Sequence, residues 1–312
     1  MSELPIHPIP SENKPIDKRI KALNYKTLPK LPATIMILGR CGSGKSSILY
    51  SLLKEGYTYG KNKKSVFDEC VTWLGTQDAD HAFNALPIKN SLVLHEFNAD
   101  DFEEYLDHLK AHQMEKLEAN KPPLNSLLIF DDYVGQNLMK RHKGKASPLE
   151  RLALTSRHEA NASIIFCSQV YKNTGFSHPT IRNNTTTYVI SQMTRPEIEK
   201  IADELSQDLT PEEFIQTYDE IMAKKPYNFM VIDMRRPLDQ RITEQFHIPI
   251  KRPQRLLKMV TDNRNGKEVS DASGSGEDSE WPQLQPVIKT RSISEYHYGN
   301  KPTANPNSKI HR

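Results

Sequence analysis

Long apolar runs are missing from this chain. Nothing in it approaches the ~18 consecutive apolar residues that a bilayer-spanning helix needs. The opening MSELPIHPIPSENKPIDKR carries prolines and charges where a secretory leader would be apolar, so the expectation is a soluble, intracellular protein. Cysteine is also scarce. Cys41, Cys70 and Cys167 are odd in number, far apart and without metal-ligand spacing. That argues against a disulfide framework and fits a reducing compartment. Neither sign of charge dominates, since 42 Lys and Arg against 39 Asp and Glu leave +3, too little to imply a nucleic-acid partner alone. The guanine-reading pattern [NT]-K-x-D is absent as well: Asn13 and Asn120 each begin an Asn-Lys pair, but neither is followed by the Asp.

Enough is present for a core. Hydrophobic residues make up 37% of the 312 positions and charged ones 26%, and the mean hydropathy of −0.65 points to polar segments attached to that core. Residues 1–30 are rich in Pro and Lys and read as an N-terminal arm. From 31 to about 235, short apolar runs alternate with helical spacing, within a domain expected to run from 31 to 260. Thr34–Leu38, Cys70–Leu74, Ser91–Leu94, Leu127–Phe130, Ser163–Cys167, Thr187–Ile190 and Asn228–Asp233 are strand candidates. Phe102, Tyr105, Leu106, Leu109 and Leu117 share one face of a helix, and Thr194-x-x-Glu197 and Thr210-x-x-Glu213 read as capping boxes. Apolar runs without polar alternation, separated by helices, predict an α/β fold with a mostly parallel sheet covered on both faces. From 261 to 312, TDNRNGKEVSDASGSGEDSE and GNKPTANPNSK cannot bury enough apolar surface to order themselves, so a disordered C-terminal tail is expected.

The most specific motif is GRCGSGKS, which fits G-x-x-x-x-G-K-[ST] and lies between an apolar strand and an amphipathic helix. Successive backbone N–H groups of such a loop point at phosphate oxygens beside a helix N-terminus that favours negative charge. Gly39, Arg40, Cys41, Gly42, Ser43, Gly44, Lys45, Ser46 and Ser47 are therefore the candidate nucleotide contacts, with Lys45 reaching the terminal phosphates and Ser46 holding Mg²⁺. Cys41 reads as a tolerated small residue within the loop. The strand Leu127–Phe130 delivers Asp131 and Asp132 to its carboxyl end, where ligands of parallel sheets bind. Asp131 is placed to bind Mg²⁺, and Asp132 to orient or deprotonate a water. A further apolar strand, SIIFCSQ, stops at Gln169, whose amide can donate to phosphate and accept from water. Arg157 is either an arginine finger for a neighbouring subunit or a partner of Glu150 or Glu159, and Arg182 is a second finger candidate. The densest basic runs are GKNKK at Gly60–Lys64 and MKRHKGK at Met139–Lys145.

In this order, GRCGSGKS, LLIFDD, TSRHEANASIIFCSQ and HPTIRNNTTTYVI resemble the FtsK–HerA superfamily of P-loop ATPases. The likeness is to its branch of genome-packaging ATPases from large double-stranded DNA viruses, virophages and Polinton-like elements. It covers roughly residues 30–235. It implies an additional-strand P-loop core of strand order 5-1-4-3-2, with ATP and Mg²⁺ as cofactors. It also implies homo-oligomeric rings with nucleotide between subunits, double-stranded DNA drawn through the centre, capsid proteins as further partners, and a place in the host cytoplasm, virus factory or virion. By position, Lys45 and Ser46 bind nucleotide and Mg²⁺, Asp131 binds Mg²⁺, Asp132 activates water and Gln169 senses phosphate. One departure stands out: much of the superfamily has Glu where this chain has Asp132. The sequence leaves two alternatives open. One is a nucleotide-dependent switch or kinase, which phosphoryl transfer to an acceptor other than water would reveal. The other is an ATP-regulated assembly scaffold docking through its tail, with Trp281 and Tyr296–Tyr298 as anchors.

Overall fold

A computed structural model describes residues 17–25, 27–75, 83, 86, 88–132, 138–172 and 178–250. Most of the arm, the whole of the tail and the proposed anchors Trp281 and Tyr296–Tyr298 lie outside the described residues.

The strands are β1 (Thr34–Leu38), β2 (Thr58–Tyr59), β3 (Lys64–Ser65), β4 (Glu69–Leu74), β5 (Asn90–Leu94), β6 (Ser126–Asp131), β7 (Ala162–Ser168), β8 (Thr187–Ile190), β9 (Met230–Asp233), β10 (Ile242–Glu244) and β11 (Ile248–Pro249). Nine of them form one sheet in the order β11-β10-β9-β8-β1-β7-β6-β4-β5. From β5 to β8 every neighbouring pair is parallel, and β9, β10 and β11 then add antiparallel strands at the other edge. The sheet is wider than the five strands expected: β5 lies outside β4, and three strands extend it beyond β8. Strand β7 sits between the phosphate-loop strand β1 and the acid-bearing strand β6, which is the additional-strand arrangement.

The helices are α1 (Lys18–Lys21), α2 (Lys45–Ser51), α3 (Ala99–Glu118), α4 (Pro148–Thr155), α5 (Pro179–Asn184), α6 (Arg195–Leu205) and α7 (Pro211–Lys224). Covering helices on both faces explain why the strand sequences are apolar without alternation. In β1, Met36 and Leu38 enter one core cluster, while Ile35 and Ile37 enter another on the opposite face. Helix α3 starts where the Asn98 carboxamide oxygen accepts from the Asp100 and Asp101 N–H groups, and it buries Phe102, Tyr105, Leu106 and Leu109. The described residues before 30 dock on the sheet: Leu23 and Leu28 are buried, and the Arg19 guanidinium donates to both Asp68 oxygens at 2.7 and 2.8 Å.

One of the two expected capping boxes forms. The Thr210 hydroxyl accepts from the Glu213 N–H, and Glu213 reaches back to the Thr210 N–H. The Thr194 side chain caps nothing, because the buried Glu197 carboxylate instead accepts the Tyr171 N–H at 2.7 Å and pairs with Lys200. A box that the sequence reading passed over joins Ser147 and Glu150 at the head of α4.

Beneath the carboxyl edge, Trp73 of β4, Phe130 of β6 and Phe166 of β7 stack across paired register positions, with centroids 4.7 and 5.4 Å apart. Phe130 is the middle ring and directly precedes Asp131. Replacing it with alanine is expected to destabilise the fold by about 3–5 kcal/mol, read as a lower midpoint in chemical denaturation.

Candidate nucleotide site

Strand β1 ends at Leu38, and the chain turns through Gly39–Gly44 into α2. Gly42 and Gly44 hold φ of +74° and +87°, a backbone that side-chain-bearing residues rarely adopt. Gly39 is needed for space, because a Cβ there would collide with the Ser191 and Ser43 hydroxyls. The first helical residue, Lys45, is buried, and its ammonium lies 3.4 Å from both Asp132 Oδ2 and the Arg40 carbonyl oxygen. The Ser46 hydroxyl donates to Asp131 Oδ2 at 3.3 Å.

The acids come from the end of β6. Asp131 is buried, and its Oδ1 has no hydrogen-bond partner among the described residues. Burial, and then the charge of Asp132 beside it, push the Asp131 carboxyl above its ordinary pKa. Asp132 sits at φ +46°, an uncommon conformation for a residue with a side chain, and its Oδ2 accepts from Gln169 Nε2 at 3.2 Å. Lys45, Ser46, Asp131, Asp132 and Gln169, named from three separate stretches of sequence, thus meet at one edge of the sheet.

An ammonium, a hydroxyl, a buried carboxylate with a free oxygen and an exposed carboxylate–amide pair suit a Mg²⁺–polyphosphate. The hydroxyl and the orphaned Asp131 oxygen are hard oxygen donors of the kind Mg²⁺ takes one or two of, beside phosphates and water. Among the described residues there is no cluster of three His, Cys, Asp or Glu side chains that could hold a metal without such help.

Arg157 is not brought to this site. It lies in the π-helical turn Ser156–Ala160, just before β7, at the opposite edge of the sheet from Lys45. The ion-pair partners that the sequence offered are committed elsewhere, Glu159 to Lys110 at 2.6 Å and Glu150 to the Ser147 cap and His178. Arg182 is held by Glu204 at 3.0 Å and lies over the Tyr171 ring.

A second set of residues steadies the loop and was not anticipated. Ser191, directly after β8, donates to the Leu38 carbonyl at 3.0 Å and shares a 2.8 Å hydrogen bond with the Ser43 hydroxyl. Gln192 accepts the Arg40 guanidinium at 2.8 Å and, through its carbonyl, the Arg40 N–H at 2.9 Å. Tyr218 of α7 fixes this segment, donating to the Ser191 carbonyl at 3.0 Å and accepting the Met193 N–H at 2.8 Å. The only sequence signal was position: these residues follow the strand that pairs with β1 on its other side.

No family model matches the chain, and no curated protein does. Solved structures do. The genome packaging NTPase B204 from Sulfolobus turreted icosahedral virus 2, in complex with ATP-gammaS, is 18% identical with a TM-score of 0.45, over 70% of this chain and 99% of that one. EssC (ATPases 2 and 3) from Geobacillus thermodenitrificans is 13% identical with a TM-score of 0.44, over 73% of this chain and 42% of that one. The N-terminal domain of zonular occludens toxin from Neisseria meningitidis is 15% identical with a TM-score of 0.32, over 51% of this chain and 76% of that one. Likenesses this distant do not determine an activity, which has to be read from the site. The described residues themselves have the α/β fold of a P-loop NTPase with the additional strand.

The raised pKa of Asp131 has a consequence for stability. A carboxyl whose pKa is higher in the fold than in the unfolded chain subtracts stability once pH rises through the ordinary carboxylate range. Asp131→Asn is therefore expected to raise the melting temperature of the nucleotide-free protein at pH 7. The gain should shrink towards pH 3, below the ordinary carboxylate range. The same variant should lose the stabilisation that Mg²⁺–ATP gives the parent protein; a melting scan at the two pH values, with and without Mg²⁺–ATP, checks both.

Proposed function

We propose that the protein is an ATP-hydrolysing motor of the FtsK–HerA type that moves double-stranded DNA, packaging a viral genome into a capsid. The observation that carries the hydrolytic part is the convergence on Asp132, whose Oδ2 is within reach of Lys45 and Gln169 while Asp131 faces Ser46. In this reading the loop from Gly39 to Ser47 cradles the phosphates and Lys45 neutralises the terminal ones. Ser46 and Asp131 would hold Mg²⁺, which would neutralise charge developing on the phosphates. Asp132 takes a proton from water, and Gln169 orients that water against the phosphate. Aspartate is one methylene shorter than the glutamate common in the superfamily. The left-handed backbone at Asp132 is what aims the shorter side chain towards Lys45 and Gln169.

The DNA part is supported by the motif resemblance and by the basic loop after β6. Lys140, Arg141, Lys143 and Lys145 are exposed, and the loop is tied to the start of α3 through the pairing of Asp100 with His142 at 3.1 Å and Lys143 at 2.5 Å. The loop follows, in the chain, the same β6 whose carboxyl end faces the phosphate loop. Lys140, Arg141 and Lys145 have no ion pair among the described residues, which leaves them available to phosphates. Arg157, with its sequence-offered partners occupied, completes a neighbouring subunit's site in a ring of copies, the finger role. No helix among the described residues is long and apolar enough to cross a membrane, and the reading places the protein in the host cytoplasm or virus factory, or with the virion.

The test is ATP hydrolysis by the full chain with and without duplex DNA. Hydrolysis should be DNA-stimulated, and Lys45→Ala should lower it by about a hundredfold or more. Replacing Lys140, Arg141 and Lys145 together with alanine should leave DNA-free hydrolysis intact, abolish the stimulation, and flatten the salt dependence of DNA binding by about 2–3 in log–log slope. Absence of duplex binding at low salt would sink the motor reading.

A further inference from the structure

Helix α3 carries two histidines one turn apart, His108 and His112, in the run HLKAH. Side chains at i and i+4 lie on one face of a helix, so the two rings meet. Their centroids are 4.1 Å apart and their planes are tilted by 53°. Both residues are half-buried, which leaves the pair open to solvent on one side. Two histidines at this spacing on one helix face are the arrangement with which a helix grips zinc.

The pair stands apart from the phosphate loop. Helix α3 starts beside the basic loop that follows β6, where Asp100 pairs with His142. It runs back to the opposite edge of the sheet. There the Gln113 amide donates to the Leu124 and Ala160 carbonyls, each at 3.0 Å, just ahead of β6 and β7. His112 is the residue before Gln113, so the rings belong to the half of α3 away from Lys45 and Asp131. Two carboxylates act on them. Glu104, one turn before His108, is coupled to that ring, and Glu69, buried at the start of β4, is coupled to His112. Glu69 is itself fixed by the Ser126 hydroxyl, which donates to it at 2.6 Å. Burial, and then the neighbouring His112, lower the His108 pKa against the pull of Glu104, which favours the neutral imidazole that ligates metals.

We propose that His108 and His112 together hold a divalent transition metal of the zinc class, with water in its remaining positions. Imidazole nitrogen suits Zn²⁺, Ni²⁺ and Cu²⁺, whereas Mg²⁺ takes oxygen donors, so this site and the Mg²⁺–polyphosphate edge select different ions. Two protein ligands agree with the absence, among the described residues, of a group of three His, Cys, Asp or Glu side chains placed to hold a metal. The charges of Glu104 and Glu69 favour a cation at the rings. With positions open to water, the ion exchanges with solvent, unlike one locked in a closed four-ligand site. Bound, it staples two successive turns of α3 next to the point where Gln113 ties the helix to the chain entering β6 and β7.

Calorimetric titration of the chelator-treated full-length protein with Zn²⁺, in the absence of nucleotide, tests this. His108→Ala and His112→Ala should each weaken Zn²⁺ binding roughly tenfold or more. His158→Ala, which removes an exposed histidine elsewhere, should leave it unchanged. In a parallel melting scan, Zn²⁺ should raise the melting temperature of the parent protein and of His158→Ala, and not of the two α3 variants. Zn²⁺ binding that survives undiminished in either α3 variant, or that is lost in His158→Ala instead, overturns the proposal. So does a parent protein that takes up no Zn²⁺, a result that needs no variant to fold.

Discussion

Strands β1, β7 and β6 finish together. Leu38 pairs with Ser168, and Cys167 with Asp131, so the residues just past each strand emerge side by side at one edge. That shared register is the constraint on which the site depends. It places Asp131 and Asp132 opposite the first turn of α2, and Gln169 opposite Asp132, without any long loop having to find its position. A slip of one residue in β6 would turn Asp131 to the other face of the sheet and break the Ser46 contact. The stacked rings of Trp73, Phe130 and Phe166 lie one residue below the acids and resist such a slip.

The loop is gripped from both sides of β1. On one side are the acids and Gln169; on the other, Ser191 and Gln192 hold Ser43 and Arg40, and Tyr218 anchors them to α7. A glycine-rich turn has little to fix its own shape, so neighbouring strands supply the fixing.

The sequence was most informative where the physics is local. A buried parallel strand shows itself as an unbroken apolar run, so β1, β4, β5, β6, β7 and β8 were legible within about a residue of their observed ends, whereas the two-residue strands β2 and β3 were not. The phosphate loop and the paired acids were legible because their chemistry is written in adjacent residues. What depended on distant partners was not. Thr194-x-x-Glu197 has the spacing of a capping box, but Glu197 is claimed by Tyr171 from another element. The antiparallel direction of β9 leaves no mark in its own residues. Ser191 is an ordinary serine until β8 is known to lie beside β1. The position of Arg157, at the edge away from Lys45, follows from its place before β7 once that strand's direction is set.

The central claim is that this edge of the sheet delivers a water molecule to a terminal phosphate. Hydrolysis of ATP by the full chain in ¹⁸O-labelled water, with the released phosphate analysed by mass spectrometry, tests it most directly. The account predicts one labelled oxygen per phosphate released, and loss of that product in Asp132→Asn. Phosphate transferred to an acceptor other than water, or labelled phosphate released undiminished without the Asp132 carboxylate, would contradict it.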